Sequence, residues 1–230
     1  MKYEHIFFDL DRTLWDYDAN AYKALCKIFF EFELDKHFSS PEEFFEIYTK
    51  HNDQLWEDYR NGAIRKDDLR KLRFHNTLKE KKVDNVNLCN DIGDLFLRIT
   101  PKQNMLISDT ISTLNYLVDK KYSLYILTNG FIKTQKNKMV NSKIDHFFLR
   151  IFSSEEFGVN KPRKEIFHWA VSSIHAKKTK CLMVGDDLKV DIRGAMNYGI
   201  DGAWFNPDNS PTSFKPTFTL SKLHDLRSIL

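Results

Sequence analysis

The 230-residue chain is expected to fold as an α/β protein, a doubly wound (Rossmann-like) parallel sheet core with a small all-helical domain inserted after the first strand. Three observations lead there. Short apolar runs alternate with helical repeats through the second half of the chain. Those runs are apolar throughout and do not alternate with polar residues, as strands covered on both faces do. One long stretch after the first run has helical spacing only.

Taken in order, Ile6 to Phe8 is the first strand. From about Tyr17 to Thr100 the spacing is helical. Ala21, Ala24, Leu25, Ile28, Phe29 and Phe32 form one stripe. A second helix opens at Ser40-Pro41-Glu42-Glu43, a capping box with proline at the first helical position, carries Phe44, Tyr48, Leu55, Trp56 and Tyr59, and stops at Asn61-Gly62. Further helices fit Leu69, Leu72 and Leu78, then Val86, Ile92, Leu95, Phe96 and Ile99. Residues 1–16 and 101–230 are therefore expected to form the sheet domain and 17–100 the helical one. In the former, strands fit Tyr122 to Leu127, Leu149 to Phe152, Cys181 to Val184, Ala203 to Phe205 and, more weakly, Thr217 to Leu220. Helical repeats lie at Ile107 to Val118, at Ile166 to Ile174, and from Val190 through Ala195 to a stop at Gly199.

Composition narrows the function. With 42% hydrophobic and 29% charged residues the chain reads as globular. Its longest apolar runs fall far short of the ~20 residues of a membrane span. The N-terminus leads into a strand without a signal-peptide pattern, so the expected location is the cytoplasm, with no membrane partner. A net charge of +3 makes no case for nucleic acid. Cys26, Cys89 and Cys181 are isolated in apolar-periodic segments and are expected to be buried free thiols. Oligomeric state has no signature here.

In an open α/β sheet the ligand crevice lies outside the carboxyl ends of the strands. The residues there are Asp9 and Asp11 after the first run, Thr128 and Asn129 after the second, Lys161 in a later loop, and Asp186 and Asp187, with Asp191 further on. Carboxylates from two strand ends need a cation, since like charges at close range cannot all stay ionised. An all-oxygen set without His or Cys suits Mg²⁺. The Lys161 ammonium and Thr128 hydroxyl would hold a phosphoryl group, whose transfer depends on positioning and charge stabilisation. Asp9 and Asp11, two residues apart on one side of a strand, can divide the work. Asp9 is the better nucleophile, forming an aspartyl-phosphate, and Asp11 the better acid/base.

The stretches FFDLDRT, YILTNG, NKP and LMVGDDLKVD resemble the four motifs of the haloacid dehalogenase superfamily of aspartate-nucleophile phosphohydrolases, and the helical insertion resembles that superfamily's cap. The resemblance implies Asp9 as nucleophile, Asp11 as acid/base, Thr128 and Lys161 as phosphate ligands, and Mg²⁺ held by Asp9, the Asp11 backbone carbonyl and Asp186. Asp187 and Asp191 would lie nearby, and which of them touches the ion is open at this stage. Arg12 departs from the pattern, where many members have glycine. The second aspartate, Asp11, argues for phosphate chemistry over dehalogenation. NDQLWEDYRNGAI, with TNGF and SSEEFGVNKP, resembles the bacterial pyrimidine 5′-nucleotidase subgroup, implying a small phosphomonoester, a nucleoside monophosphate, as substrate. Trp56 and Tyr59, three apart on one helical face, either stack on its base or, as amphipathic aromatic stripes usually do, fill the core of the helical domain, which is the expectation. Phe131 faces the same choice. Phosphatases or phosphomutases for sugar phosphates or phosphoglycolate share every motif residue. A phospho-accepting signalling domain is the non-enzyme alternative.

Overall fold

The computed structural model describes residues 2–230. The chain divides into two compact units, one formed by the N-terminal segment through Tyr17 with Asn104–Leu230, the other by Asp18–Gln103. The first holds a sheet of six parallel strands: β1 (His5–Phe8), β2 (Ser123–Thr128), β3 (Arg150–Ser153), β4 (Cys181–Gly185), β5 (Asp201–Phe205) and β6 (Phe218–Leu220). Their order is β3-β2-β1-β4-β5-β6. From β1 the chain builds outward through β2 and β3, then returns to add β4, β5 and β6 on the other side. Strand order thus reverses between β1 and β4, where a doubly wound sheet opens its crevice.

The second unit is helical. It contains α1 (Tyr17–Glu31, its first residue shared with the other unit), α2 (Pro41–Asn61), α3 (Lys66–Lys79) and α4 (Val86–Ile99). Ser40 caps α2 by accepting from the Glu43 N–H, and Gly62 closes it. Tyr48, Phe74 and Phe96, one from each of α2, α3 and α4, meet with ring centroids 5.2 to 5.4 Å apart. Trp56 and Tyr59 are not among the fully buried residues of this unit. Both are half-buried and meet each other edge to face at 5.7 Å, which corrects the expectation that they fill the core. The helix turns Phe44, Tyr48, Asn52 and Leu55 inward instead. Among the helical residues predicted as buried thiols, Cys26 is only half-buried, whereas Cys89 is buried.

In the sheet unit, α5 (Thr110–Asp119) precedes β2, α6 (Ile132–Asn141) follows it, α7 (Ser154–Phe157) and α8 (Lys164–Ser173) lie between β3 and β4, and a π-helical turn (Leu188–Arg193) runs into α9 (Gly194–Tyr198). Side chains alternate across the sheet with period two. Ile6 and Phe8 join Leu114, Leu124, Ile126, Leu182 and Val184 on one face. Phe7 joins Leu127, Phe152, Ile166, Phe167 and Met183 on the other. Both faces are buried, which is why the strands read as unbroken apolar runs. Phe7 is 1% exposed and stacks on Tyr125 at 5.2 Å. Phe7→Ala is expected to cost ~3–5 kcal/mol in urea unfolding, because the ring's contacts on both sides are lost and the site collapses only partly. No helix among the described residues is long and apolar enough to cross a membrane.

Candidate active site

β1 sits between β2 and β4, and the Asp9 N–H extends its ladder by donating to the Val184 carbonyl at 2.9 Å. That bond fixes the carboxylate of Asp9 at the carboxyl end of the sheet, where it is 8% exposed. Asp186 follows the neighbouring strand β4. Its carboxylate accepts from the Thr13 hydroxyl at 2.8 Å, its N–H donates back to the same oxygen at 3.1 Å, and its carbonyl accepts from the Trp204 indole at 2.8 Å. Asp191, on the π-helical turn, is 2% exposed and lies against Gly185 so closely that any Cβ there would collide with it. Glycine at the end of β4 is thus the condition for a third carboxylate.

One cation answers these charges. Lys161 is 1% exposed, and its three ammonium hydrogens have three acceptors, Asp9 Oδ1 at 2.6 Å, Asp191 Oδ1 at 2.7 Å and the Leu127 carbonyl at 2.6 Å. Asn129 holds the lysine's backbone: its amide accepts from the Lys161 N–H at 2.8 Å and donates to the Lys161 carbonyl at 3.0 Å. The side chain of Asn129, a candidate for the crevice by its strand-end position, is occupied as a clamp, because a carboxamide matches a peptide group in the way one strand matches another. Asp187 accepts from the N–H groups of Lys189 and Val190 at 2.9 and 2.8 Å, capping the turn that carries Asp191, so its carboxylate is engaged with backbone.

Asp11 stands apart from that cluster. Its two oxygens take Lys138 Nζ at 2.5 Å and Gln135 Nε2 at 2.9 Å, both from α6. The two aspartates of the DxD stretch therefore have separate partners and separate environments, as a division of labour requires. Thr128 Oγ1, at the end of β2, accepts from Gly130 N–H at 2.9 Å and from the same Gln135 amide at 2.8 Å. Phe131 is buried just beyond. Arg12, between Asp11 and Thr13, has φ of 62°, in the left-handed region, and its guanidinium lies over the Tyr17 ring at 5.0 Å. That conformation favours glycine.

Asp9, Asp186 and Asp191 each offer an oxygen within 4.8 Å of the others. Burial, the largest influence, raises all three above the ordinary carboxylate range, and their mutual repulsion adds to it. Lys161 offsets two of them; burial works against its charge, but Asp191 and Asp9 outweigh it and raise the lysine. When all three are ionised, three carboxylates against one ammonium leave an excess of two negative charges on an oxygen-only set, which fits a hard divalent cation. The sequence assigns no role to Thr13, Trp204, Gln135 or Lys138. Thr13 had one available signal, its place at the end of FFDLDRT, whereas Lys138 lies in the polar stretch IKTQKNKMVN and had none.

Crowded, buried carboxylates and the buried Lys161 at the switch point of a doubly wound sheet have the arrangement of a candidate enzyme active site. The model of the haloacid dehalogenase-like hydrolase family matches residues 3–199, and the chain belongs to that family. This bears out the resemblance of the four motifs. The chain is 31% identical to the pyrimidine 5′-nucleotidase YjjG of Escherichia coli, over 100% of this chain and 99% of that protein. It is 28% identical to the pyrimidine 5′-nucleotidase PynA of Streptococcus pneumoniae, over 100% and 96%. The crystal structure of the putative HAD-hydrolase YfnB from Bacillus subtilis, bound to magnesium, matches with a TM-score of 0.89 at 29% identity, covering 100% of this chain and 99% of that one.

Proposed function

We infer that the protein is a Mg²⁺-dependent phosphomonoester hydrolase that works through an aspartyl-phosphate on Asp9, and that its substrates are pyrimidine nucleoside 5′-monophosphates. The observation that carries the chemistry is the pair of aspartates with separate lysines. Asp9 lies beside Lys161 among buried carboxylates, and Asp11 is held by Lys138 and Gln135. In the first half-reaction an Asp9 oxygen attacks phosphorus and Asp11 protonates the departing ribose oxygen. In the second, Asp11 takes a proton from the water that attacks the aspartyl-phosphate, and Asp9 is released with inorganic phosphate. Lys161, 2.6 Å from Asp9 Oδ1, puts a positive charge beside the transferred group. Asp9, Asp186 and Asp191 would hold the metal with the Asp11 carbonyl, and bound Mg²⁺ would supply further neutralisation of the phosphoryl oxygens.

The substrate class rests on full-length similarity to two nucleotidases and on Trp56 and Tyr59. Half-buried rings of the helical unit, in the role of a cap, would offer faces on which a base can stack. Phosphate release from UMP, dUMP, dTMP, CMP, AMP, GMP, glucose 6-phosphate and phosphoglycolate, with and without Mg²⁺, tests it. The expected result is Mg²⁺-dependent release with pyrimidine monophosphates preferred. Turnover of sugar phosphates alone would keep the chemistry and discard the substrate, and a long-lived phospho-aspartate without turnover would favour the signalling reading.

A further inference from the structure

We propose that Gln135 and Lys138 are positioning residues of this site. Gln135 ties the acid/base carboxylate of Asp11 to the phosphate-holding hydroxyl of Thr128, and Lys138 fixes Asp11 alone. The inference rests on the phosphatase reading above and adds to it the two α6 side chains that the family motifs leave out.

Burial of these two side chains carries a cost. Gln135 and Lys138 are three residues apart and so share one face of α6. They are 0% and 4% exposed, where a helix on a sheet ordinarily turns apolar residues inward. A buried ammonium and a buried amide lose hydration and rotamer freedom, and the fold tolerates them only when they are bonded. Lys138 is bonded to Asp11 Oδ1 at 2.5 Å and lies over the ring of Trp15 at 4.4 Å, so its charge is met on two sides. Gln135 gives both amide hydrogens to the site, one to Asp11 Oδ2 at 2.9 Å and one to Thr128 Oγ1 at 2.8 Å.

Gln135 also forgoes a bond of its own. Its Oε1 is buried with no hydrogen-bond partner among the described residues. Turning the amide over would face that oxygen to a carboxylate, so the partners dictate the orientation. A side chain that leaves its own carbonyl unsatisfied in order to place two donors is held there by what those donors touch. Gly130 makes room for it. A Cβ at Gly130 would collide with the Gln135 amide and side-chain carbons, which gives the Thr-Asn-Gly triplet and a glutamine five residues later a common geometric reason.

The consequence falls on Thr128. A hydroxyl has two lone pairs and one proton. The lone pairs of Thr128 Oγ1 are taken by the N–H of Gly130 and the amide of Gln135. Toward a third group the hydroxyl can act only as a donor, which is the role a phosphoryl oxygen needs. One amide therefore sets the polarity of the phosphate ligand and the orientation of the group that moves protons.

The test compares wild type, Gln135→Met, Lys138→Met and Lys138→Arg with Mg²⁺ on two substrates, UMP and p-nitrophenyl phosphate, with inorganic phosphate binding followed by calorimetry. The aryl oxygen leaves as a stabilised anion and does not need Asp11 as an acid, whereas the ribose oxygen does. Lys138→Met is expected to slow UMP turnover by about 10²-fold. The first-turnover burst of p-nitrophenolate and the affinity for inorganic phosphate stay within about twofold of wild type, and Lys138→Arg recovers most of the loss. Gln135→Met is expected to show the same loss on UMP and, in addition, about tenfold weaker phosphate binding, since the Thr128 donor is no longer fixed. UMP turnover within about twofold of wild type in both Met variants would overturn the proposal, as would equal slowing of the burst and of UMP turnover, the mark of general damage. Wild-type protein inactive on both compounds would instead overturn the phosphatase reading on which it rests.

Discussion

Asp9→Asn folds and releases no phosphate from any monophosphate, a loss of at least about 10⁴-fold of the kind seen when a nucleophile is removed. The amide has no anionic oxygen with which to attack phosphorus, and the remaining carboxylates cannot take its place. Asp191 is tied to Lys161, and Asp186 is tied to Thr13. The stability effect has the opposite sign from the usual active-site lesion. In metal-free protein Asp9 is one of three buried carboxylates raised by burial and crowding, so exchanging it for a neutral amide removes repulsion. Its melting temperature without Mg²⁺ should equal or exceed that of wild type. A melting temperature several degrees lower would mean that Asp9 serves the fold through its bond to Lys161, and the activity loss would then carry no mechanistic weight.

Lys161→Met is expected to lose activity as well, and to destabilise. The methionine fills the same channel but leaves Asp9 and Asp191 buried without their common cation and the Leu127 carbonyl without its donor. Removing one partner of a buried charge pair costs ~3–5 kcal/mol. Urea unfolding of the metal-free variant should show that cost, and Mg²⁺ should recover part of it by occupying the excess negative charge. Two substitutions at bonded neighbours thus abolish one activity while moving stability in opposite directions. Equal stability of Lys161→Met and wild type without metal would show that the three carboxylates are not ionised together, and would undo the electrostatic account of the cluster.

Much of this site was legible because strand ends in a doubly wound sheet are readable. All but the short edge strand β6 announced themselves as apolar runs, since both faces of the sheet are covered, and Asp9, Thr128 and Asp186 follow at once. The start of α2 was equally plain from Ser40, Pro41 and Glu43, whose roles depend only on local backbone geometry. What failed to show is α6. IKTQKNKMVN has no apolar stripe because its inward face carries Gln135 and Lys138 for Asp11, so the feature that makes the helix functional erased its hydrophobic signature. Asn129 and Asp187 carry local structural roles that strand-end position does not reveal. Both stand at strand ends, but side chains of their kind also complete loops and cap turns, and here they do so at Lys161 and ahead of Val190. Trp56 and Tyr59 sit on the same face as each other, yet spacing alone could not say how far that face was turned inward.

Phosphate is expected to pass through Asp9. Acid quench of the reaction with UMP and Mg²⁺ within the first turnover, reduction of acyl phosphate by borohydride and peptide mass analysis would locate it. The expected product is homoserine at position 9, formed by reduction of the Asp9 acyl phosphate, present only when substrate was added and absent from Asp9→Asn. Steady phosphate release with no modified carboxylate, or with the modification on Asp11 or Asp191, would contradict it.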